Sequence, residues 1–183
     1  RPGLIFRSNS PYSIDGFEMI SEMEMVSPQP WSMDEKGFVL FYSKTGNGSE
    51  LFCSSSISGK DWSDSRKLAS MGGHLQISES YGGRIATAFN YFPGGDIDRQ
   101  TNLYLMLSDD NGNSWKTIES RRLQIPLREV ENEALLKNFE KEGKLVHLSD
   151  IDFDSNGDPV ILIIVSKGNI PGPVSGPREW FVV

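Results

Sequence analysis

Ser108-Asp109-Asp110-Asn111-Gly112-Asn113-Ser114-Trp115 is the stretch that decides how this chain folds. It reads Ser-x-Asp-x-Gly-x-x-Trp, and each fixed position has a job in a tight strand-to-strand turn. The Asp110 carboxylate can accept backbone N–H groups inside the turn, closing an Asx-type loop. Gly112 supplies a positive φ that other residues adopt only at a cost. The Ser108 hydroxyl can bond back to the chain, and Trp115 buries a large ring while its indole N–H seeks a partner. Thr101 to Leu107 reads as the strand arriving, and Lys116-Thr117-Ile118-Glu119 as the strand leaving.

The turn has a degenerate copy. Ser55 to Trp62 keeps Ser, Gly59 and Trp at the same offsets, with Ile57 in place of the Asp, and Trp62 and Trp115 stand 53 residues apart. The strands upstream repeat as well: Phe38 to Lys44, Arg84 to Tyr91 and Pro159 to Lys167 correspond. Third strands follow at Glu50 to Ser55, Thr101 to Leu107 and Arg178 to Val183. First strands precede at Met23 to Ser27, His74 to Ser80 and Leu145 to Phe153, with His74-Leu75 and His147-Leu148 at matching places. A repeat of about four strands is the blade of a β-propeller. The expectation is therefore an all-β fold of four-stranded antiparallel blades: a tail at 1–17, blades at 18–69 and 70–126, and an incomplete blade at 127–183. That is about three and a half blades where a closed ring takes about four to eight, so the chain reads as a partial propeller. Two stretches break the rhythm: Asn132 to Phe139, with Gly143 behind it, reads as a short capped helix, and Gly168 to Pro177 as an ordered, proline-rich loop.

Composition limits the function classes. A net charge of −7 and a pI near 4.9 argue against nucleic acid or an anionic membrane surface as partner. No apolar run approaches the roughly 20 residues of a membrane helix. Cys53 is the one cysteine, which leaves neither an internal disulfide nor a thiol cluster for zinc.

The eight-residue turn resembles the Asp box, or BNR repeat, of sialidase-like β-propellers. Further stretches are similar to a group of bacterial BNR-repeat proteins: His74 through Phe89-Asn90-Tyr91, Asp98 through Tyr104, Gly143 to Asp152, and Ser166-Lys167-Gly168 to Pro173. The resemblance implies a carbohydrate-active propeller, secreted or periplasmic, that cleaves an acidic or rhamnose-containing polysaccharide by lyase or glycoside hydrolase chemistry. A non-catalytic glycan-binding module is the alternative, and a structural propeller without a glycan the third reading. The Arg-Ile-Pro motif and arginine triad of true sialidases are not visible. In related propellers the Asp-box turns lie on the face opposite the active site. Ser108, Asp110, Gly112 and Trp115 are then structural, and the turns between second and third strands share the functional face with the blade-to-blade connections, the Met71–His74 approach and the Arg128–Lys144 insertion included.

That geometry selects the candidate site. The Asn90–Thr101 loop carries Tyr91, Asp96, Asp98 and Arg99 on a Pro-Gly-Gly framework, and His74 approaches it through Met71-Gly72-Gly73. β-Elimination on a uronate needs a cation for the carboxylate, a base for the α-proton and an acid for the leaving oxygen; Arg99, His74 and Tyr91 are the right types. Hydrolysis would use two carboxylates about 5–10 Å apart, and Asp96 with Asp98 is the local pair. Asn90, Asp96, Asp98, Lys44 and Lys167 are expected to bind substrate, whereas the same residues read structurally would make Arg99 a partner of Asp96 or Asp98 and His74 a satisfied strand histidine. No metal or other cofactor is indicated. Asp152 to Gly157 matches half of a calcium loop, but the position for its bidentate glutamate is Ile163, so a two-residue hairpin turn at Asn156-Gly157 is the better reading. Asn47-Gly48-Ser49 likewise reads as a hairpin turn rather than a glycosylation site.

Overall fold

Three antiparallel sheets and a hairpin follow one another along the chain. The computed structural model describes residues 2–46 and 48–183, so the expected turn at Asn47 lies outside the described residues. Strands β1 (Pro2–Ser8) and β2 (Phe17–Glu24) form the hairpin. The first full sheet is β3 (Val26–Ser32), β4 (Phe38–Gly46), β5 (Gly48–Ser56) and β6 (Arg66–Ala69), in that order. The second holds β7 (Gln76–Tyr81), β8 (Arg84–Tyr91), β9 (Thr101–Ser108) and β10 (Leu135–Lys137), ordered β10-β9-β8-β7. The third is three-stranded: β11 (Leu145–Phe153), β12 (Pro159–Ser166) and β13 (Glu179–Val182). Among the described residues there is no α-helix, and none long and apolar enough to cross a membrane. This is an all-β fold, a partial propeller whose blades stack face to face.

The period-2 alternation of the strands explains the stacking. Ile85 and Phe89 of β8, with Tyr104 and Met106 of β9, join Val39, Phe41, Leu51 and Cys53 of the first sheet in one core. Ala86, Ala88, Leu103, Leu105 and Leu107 point the other way and meet Val146, Ile151, Ile161, Ile163 and Val165 of the third sheet. A blade covered on both faces has no polar side, which is why β9 is buried at all eight positions. Each large apolar side chain so buried contributes about 1.5–3 kcal/mol. A third cluster, around Leu40, Tyr42 and Phe52, packs the first sheet against the hairpin through Ile5 and Met23.

The Ser108–Trp115 turn is built as its residues dictate. Asp110 Oδ1 accepts the Ser108 hydroxyl at 2.8 Å and the Ser114 N–H at 2.8 Å, and its Oδ2 accepts the Ser114 hydroxyl at 2.6 Å. These donors hold the Asp110 carboxyl below its usual range despite the opposing effect of partial burial. Gly112 has φ +76° and donates its N–H to Ser108 Oγ at 3.0 Å. Trp115, 1% exposed, reaches across to Phe41 of the preceding blade, ring centroids 5.7 Å apart. Its indole N–H has no partner among the described residues, contrary to the expectation for a buried tryptophan. The degenerate copy keeps the design: Gly59 has φ +73°, its N–H goes to the Ser56 hydroxyl rather than that of Ser55, and Trp62 packs on the core against the hairpin.

The sheets divide the chain differently from the expected blade limits. Phe17–Glu24 pairs with β1 and not with the sheet that follows. The strand expected at Lys116–Glu119 shrinks to single bridges of Lys116 with Leu107 and Arg122. The chain instead crosses to the preceding blade, where Leu127 bridges Ala69 in parallel, and returns to pair β10 on the free edge of β9. The helix expected at Asn132–Phe139 is therefore replaced by strand β10. The backbone of β9 offers unpaired groups there, and Leu105 N–H bonds Ala134 O at 2.9 Å. An eight-residue helix has no comparable tertiary support, and short helices are marginal alone. The β11–β12 turn is also not the two-residue form: Asp154 N–H bonds Asp158 O and Gly157 N–H bonds Asp154 O, with Gly157 at φ +80°, a three-residue loop with a glycine bulge.

Candidate functional site

β8 runs from Arg84 to Tyr91 and β9 returns from Thr101 to Ser108, so the two ends of the second blade stand roughly 23 Å apart at strand rise. The end carrying the Ser108–Trp115 turn is a row of latches between blades. Arg66 donates to Gly112 O at 2.6 Å, Lys36 to Gly83 O at 3.0 Å, and Arg84 to Gly157 O at 2.9 Å. The backbone carbonyls and cations there are spent on one another.

The other end is organised by the loop from Phe92 to Gln100. Gly94 and Gly95 take φ +67° and +76° and fold a short turn closed by Gly95 N–H to Phe92 O at 2.9 Å. Asp96 then caps the next turn, its carboxylate accepting Asp98 N–H at 3.0 Å. Gly73 presses against Phe92 so closely that an added Cβ would lie 2.5 Å from the ring. Phe92 N–H bonds Gly73 O at 3.0 Å, which fastens the loop to the Met71–His74 approach.

His74 lies under this loop with no exposed surface. Its Nδ1 donates to Asn90 O at 2.8 Å and its Nε2 accepts the Met71 N–H at 3.2 Å, which sets the neutral tautomer. Burial pulls its pKa from 6.5 down to about 4, against the smaller upward pull of the Asn90 carbonyl and Glu50. The acid–base role expected of His74 is corrected by this geometry: both ring nitrogens are occupied and neither reaches solvent. Asn90 is corrected in the same way. It is 0% exposed, and its amide accepts Leu75 N–H at 3.0 Å and donates to Gln100 Oε1 at 3.3 Å and Val146 O at 3.1 Å. It joins two blades rather than touching a ligand.

Tyr91 is placed otherwise. Its ring is buried, but the hydroxyl makes no hydrogen bond among the described residues and is not shielded from solvent. Burial of the ring, then the Glu140 carboxylate, hold the phenol above its ordinary pKa of 10, with Arg99 opposing. Arg99 is exposed, and its guanidinium forms no ion pair or hydrogen bond among the described residues; the pairing with Asp96 or Asp98 that would merely stiffen the loop is not made. The loop thus has a phenol at its start and, eight residues on, a cation with no partner among the described residues. Glu140, whose carboxylate helps to raise the phenol's pKa, belongs to the Arg128–Lys144 insertion expected on this face.

The remaining candidates scatter. Asp96 and Asp98 are exposed on the loop, Asp96 engaged as a cap. Lys44 stands over Phe52, 4.9 Å from the ring centroid, and donates to Ser65 Oγ at 2.8 Å, on the face turned to the first hairpin. That takes it out of the Tyr91 mouth. Lys167 lines a separate cavity of about 190 Å³ with Lys144, Ser166, Pro177 and Glu179. His147 is not the counterpart of His74. It pairs with Ile164, five residues into β12, and the residue opposite Phe89, five residues into β8, is Gln76. Among the described residues no group of histidine, cysteine and carboxylate side chains is arranged to hold a metal ion.

A family model described as BNR repeat-containing family member matches residues 2–171. The chain belongs to this BNR repeat-containing family. No curated protein matches the sequence. Among solved structures it is similar to a polysaccharide lyase of family PL25, an ulvan lyase, with TM-score 0.72 at 17% identity, covering 96% of this chain and 45% of that one. The same lyase bound to -[GlcA(1-4)Rha3S]- gives TM-score 0.71 at 18% identity over the same shares. The BNR repeat-containing chain thus spans less than half the length of the lyases whose fold it shares.

Proposed function

We propose that this chain is part of a carbohydrate-active propeller that cleaves a uronate-bearing, rhamnose-containing polysaccharide by β-elimination. The carrying observation is the Tyr91–Gln100 stretch itself: a solvent-reached phenol on a buried ring, and a guanidinium with no partner among the described residues. In that chemistry Arg99 pairs with the uronate carboxylate and makes the neighbouring C5–H acidic. The C4–O bond breaks as the C4=C5 double bond forms, and Tyr91, held protonated by its surroundings, delivers its proton to the leaving oxygen. The base that takes the C5 proton is a group other than His74. The likeness in fold to lyases, one of them seen with a glucuronate–rhamnose ligand, supports the substrate class. A polymeric substrate of this kind is met outside the cell, which agrees with a secreted or periplasmic protein.

The test is an ultraviolet assay for the unsaturated uronate, run on glucuronate–rhamnose polymers with the protein and with Tyr91→Phe and Arg99→Ala. Loss of product in both variants, with folding retained, supports the reading. Product formed equally by both variants removes these residues from the chemistry. A glycan-binding role without turnover is the second reading, favoured by the absence of an exposed histidine among the described residues of this mouth. It predicts binding, weakened by Arg99→Ala, with no ultraviolet signal.

A further inference from the structure

The third blade carries a small cavity with two ammonium groups in its wall. Lys144, Val165, Ser166, Lys167, Pro177 and Glu179 line about 190 Å³. Lys144 and Ser166 meet there because Leu145, at the start of β11, pairs with Ser166 at the end of β12. The loop that follows is built to hold Lys167. Ser166 Oγ donates to Gly168 O at 2.8 Å, and Lys167 N–H donates to Ser175 O at 3.2 Å. Gly168 permits that approach, since a Cβ there would lie 2.7 Å from Ser175 Oγ. Gly176, φ +71°, donates its N–H to Pro173 O at 3.1 Å, and the Lys167 stem lies along it: an added Cβ would be 3.7 Å from Lys167 Cδ. The stem is thus packed, while the ammonium makes no ion pair or hydrogen bond among the described residues. Lys144 pairs with Glu142 at 2.9 Å, a carboxylate it shares with Lys137 at 2.8 Å. A half-exposed pair of this kind is weak and yields to a better partner.

The cavity stands one blade on from Arg99, at the same end of the sheets. Thr101 Oγ1 donates to Lys144 O at 2.8 Å and Val146 N–H to Gln100 O at 2.8 Å, which fastens it to the 92–100 loop. Its volume lies below that of a site for a drug-sized ligand and suits a single sugar ring. The lining offers two donors for an oxyanion, the Glu179 carboxylate for hydroxyls, and Val165 with Pro177 for C–H edges. A neutral sugar leaves the ammonium groups unneutralised, and a bare inorganic anion meets only repulsion from Glu179. We propose that this cavity is a second sugar subsite: it seats one monosaccharide whose oxyanion, a sulfate ester or a carboxylate, meets Lys167 and Lys144 while its hydroxyls donate to Glu179. This rests on the proposed reading of the face as glycan-binding, but not on β-elimination or on Tyr91.

Amide NMR with glucuronate, rhamnose 3-sulfate, neutral rhamnose and inorganic sulfate as separate probes tests it. Glucuronate or rhamnose 3-sulfate should shift the amides of Ser166, Lys167, Gly168, Arg178 and Glu179, and the tighter of the two names the oxyanion. Lys167→Ala, at an exposed side chain, should weaken that binding about 10–100-fold, and Lys167→Arg should keep most of it. Arg99→Ala should leave these shifts in place. No shift from either anionic sugar, equal affinity for rhamnose or for inorganic sulfate, unchanged binding in Lys167→Ala, or shifts lost in Arg99→Ala overturns the inference. A protein that shows these shifts yet forms no unsaturated uronate loses the lyase reading alone, so the two fail separately.

Discussion

Lowering the pH should destabilise this protein through His74 before its carboxylates titrate. The imidazole is fully buried and neutral, its Nε2 accepting the Met71 N–H and its Nδ1 donating to Asn90 O. Its pKa is about 4 in the fold against 6.5 when exposed. Between those values the unfolded chain binds a proton that the fold refuses, so stability rises with pH across that window. The contribution is complete above pH 6.5 and is lost as pH falls towards 4. At 1.36 kcal/mol per unit, the difference is worth at most about 3 kcal/mol. Urea unfolding at pH 7.0 and 4.5, for the protein and for His74→Gln, measures it: the parent should lose about 2–3 kcal/mol more than the variant on acidification. The His74 Cε1 proton should meanwhile not titrate until close to pH 4. A His74 pKa near 6.5 by NMR, or equal acid sensitivity of the two proteins, would falsify the buried, doubly bonded histidine.

The other predictions concern the joints that position the mouth. Trp115→Ala empties the core between the first two blades and should cost about 3–5 kcal/mol by denaturant unfolding; a loss below 1 kcal/mol would contradict its role as the plug. Asp110→Ala strips the turn of its acceptor and should cost about 1–3 kcal/mol, with the parent's advantage fading at acid pH because the folded carboxyl titrates below its usual range. Asn90→Ala leaves the Leu75 N–H and Val146 O without their partner, each worth about 1–3 kcal/mol, and a variant as stable as the parent would show that Asn90 does not tie the blades. Gly73→Ala drives a Cβ into the Phe92 ring at 2.5 Å and should loosen the 92–100 loop, read as faster amide exchange there than at the Ser108–Trp115 turn.

Much of the fold was legible because it repeats. β8, β11 and β12 fall within a residue of their expected limits, since each is bounded by a turn whose chemistry is local. What the sequence hides is everything decided by an edge. β10 forms because β9 had free backbone groups to pair, and the hairpin β1–β2 takes residues 17–24 because Leu4 to Ser8 lies beside them. The site was legible in its types but not in its exposures. Tyr91 and Arg99 were named for chemistry and reach solvent, whereas His74 and Asn90 were named for the same reason and are buried. Periodicity places a residue on a face; it does not say that Gly73 and Phe92 will close over it.

The central claim is that glycan chemistry belongs to the Tyr91–Arg99 end of the blades and not to the Ser108–Trp115 end. Backbone amide NMR during titration with a glucuronate–rhamnose oligosaccharide tests it most directly. The account predicts shifts concentrated at Tyr91 to Gln100 and Glu140 to Lys144, with the Ser108–Trp115 turn unmoved. Shifts centred on that turn, or none at either end, would contradict it.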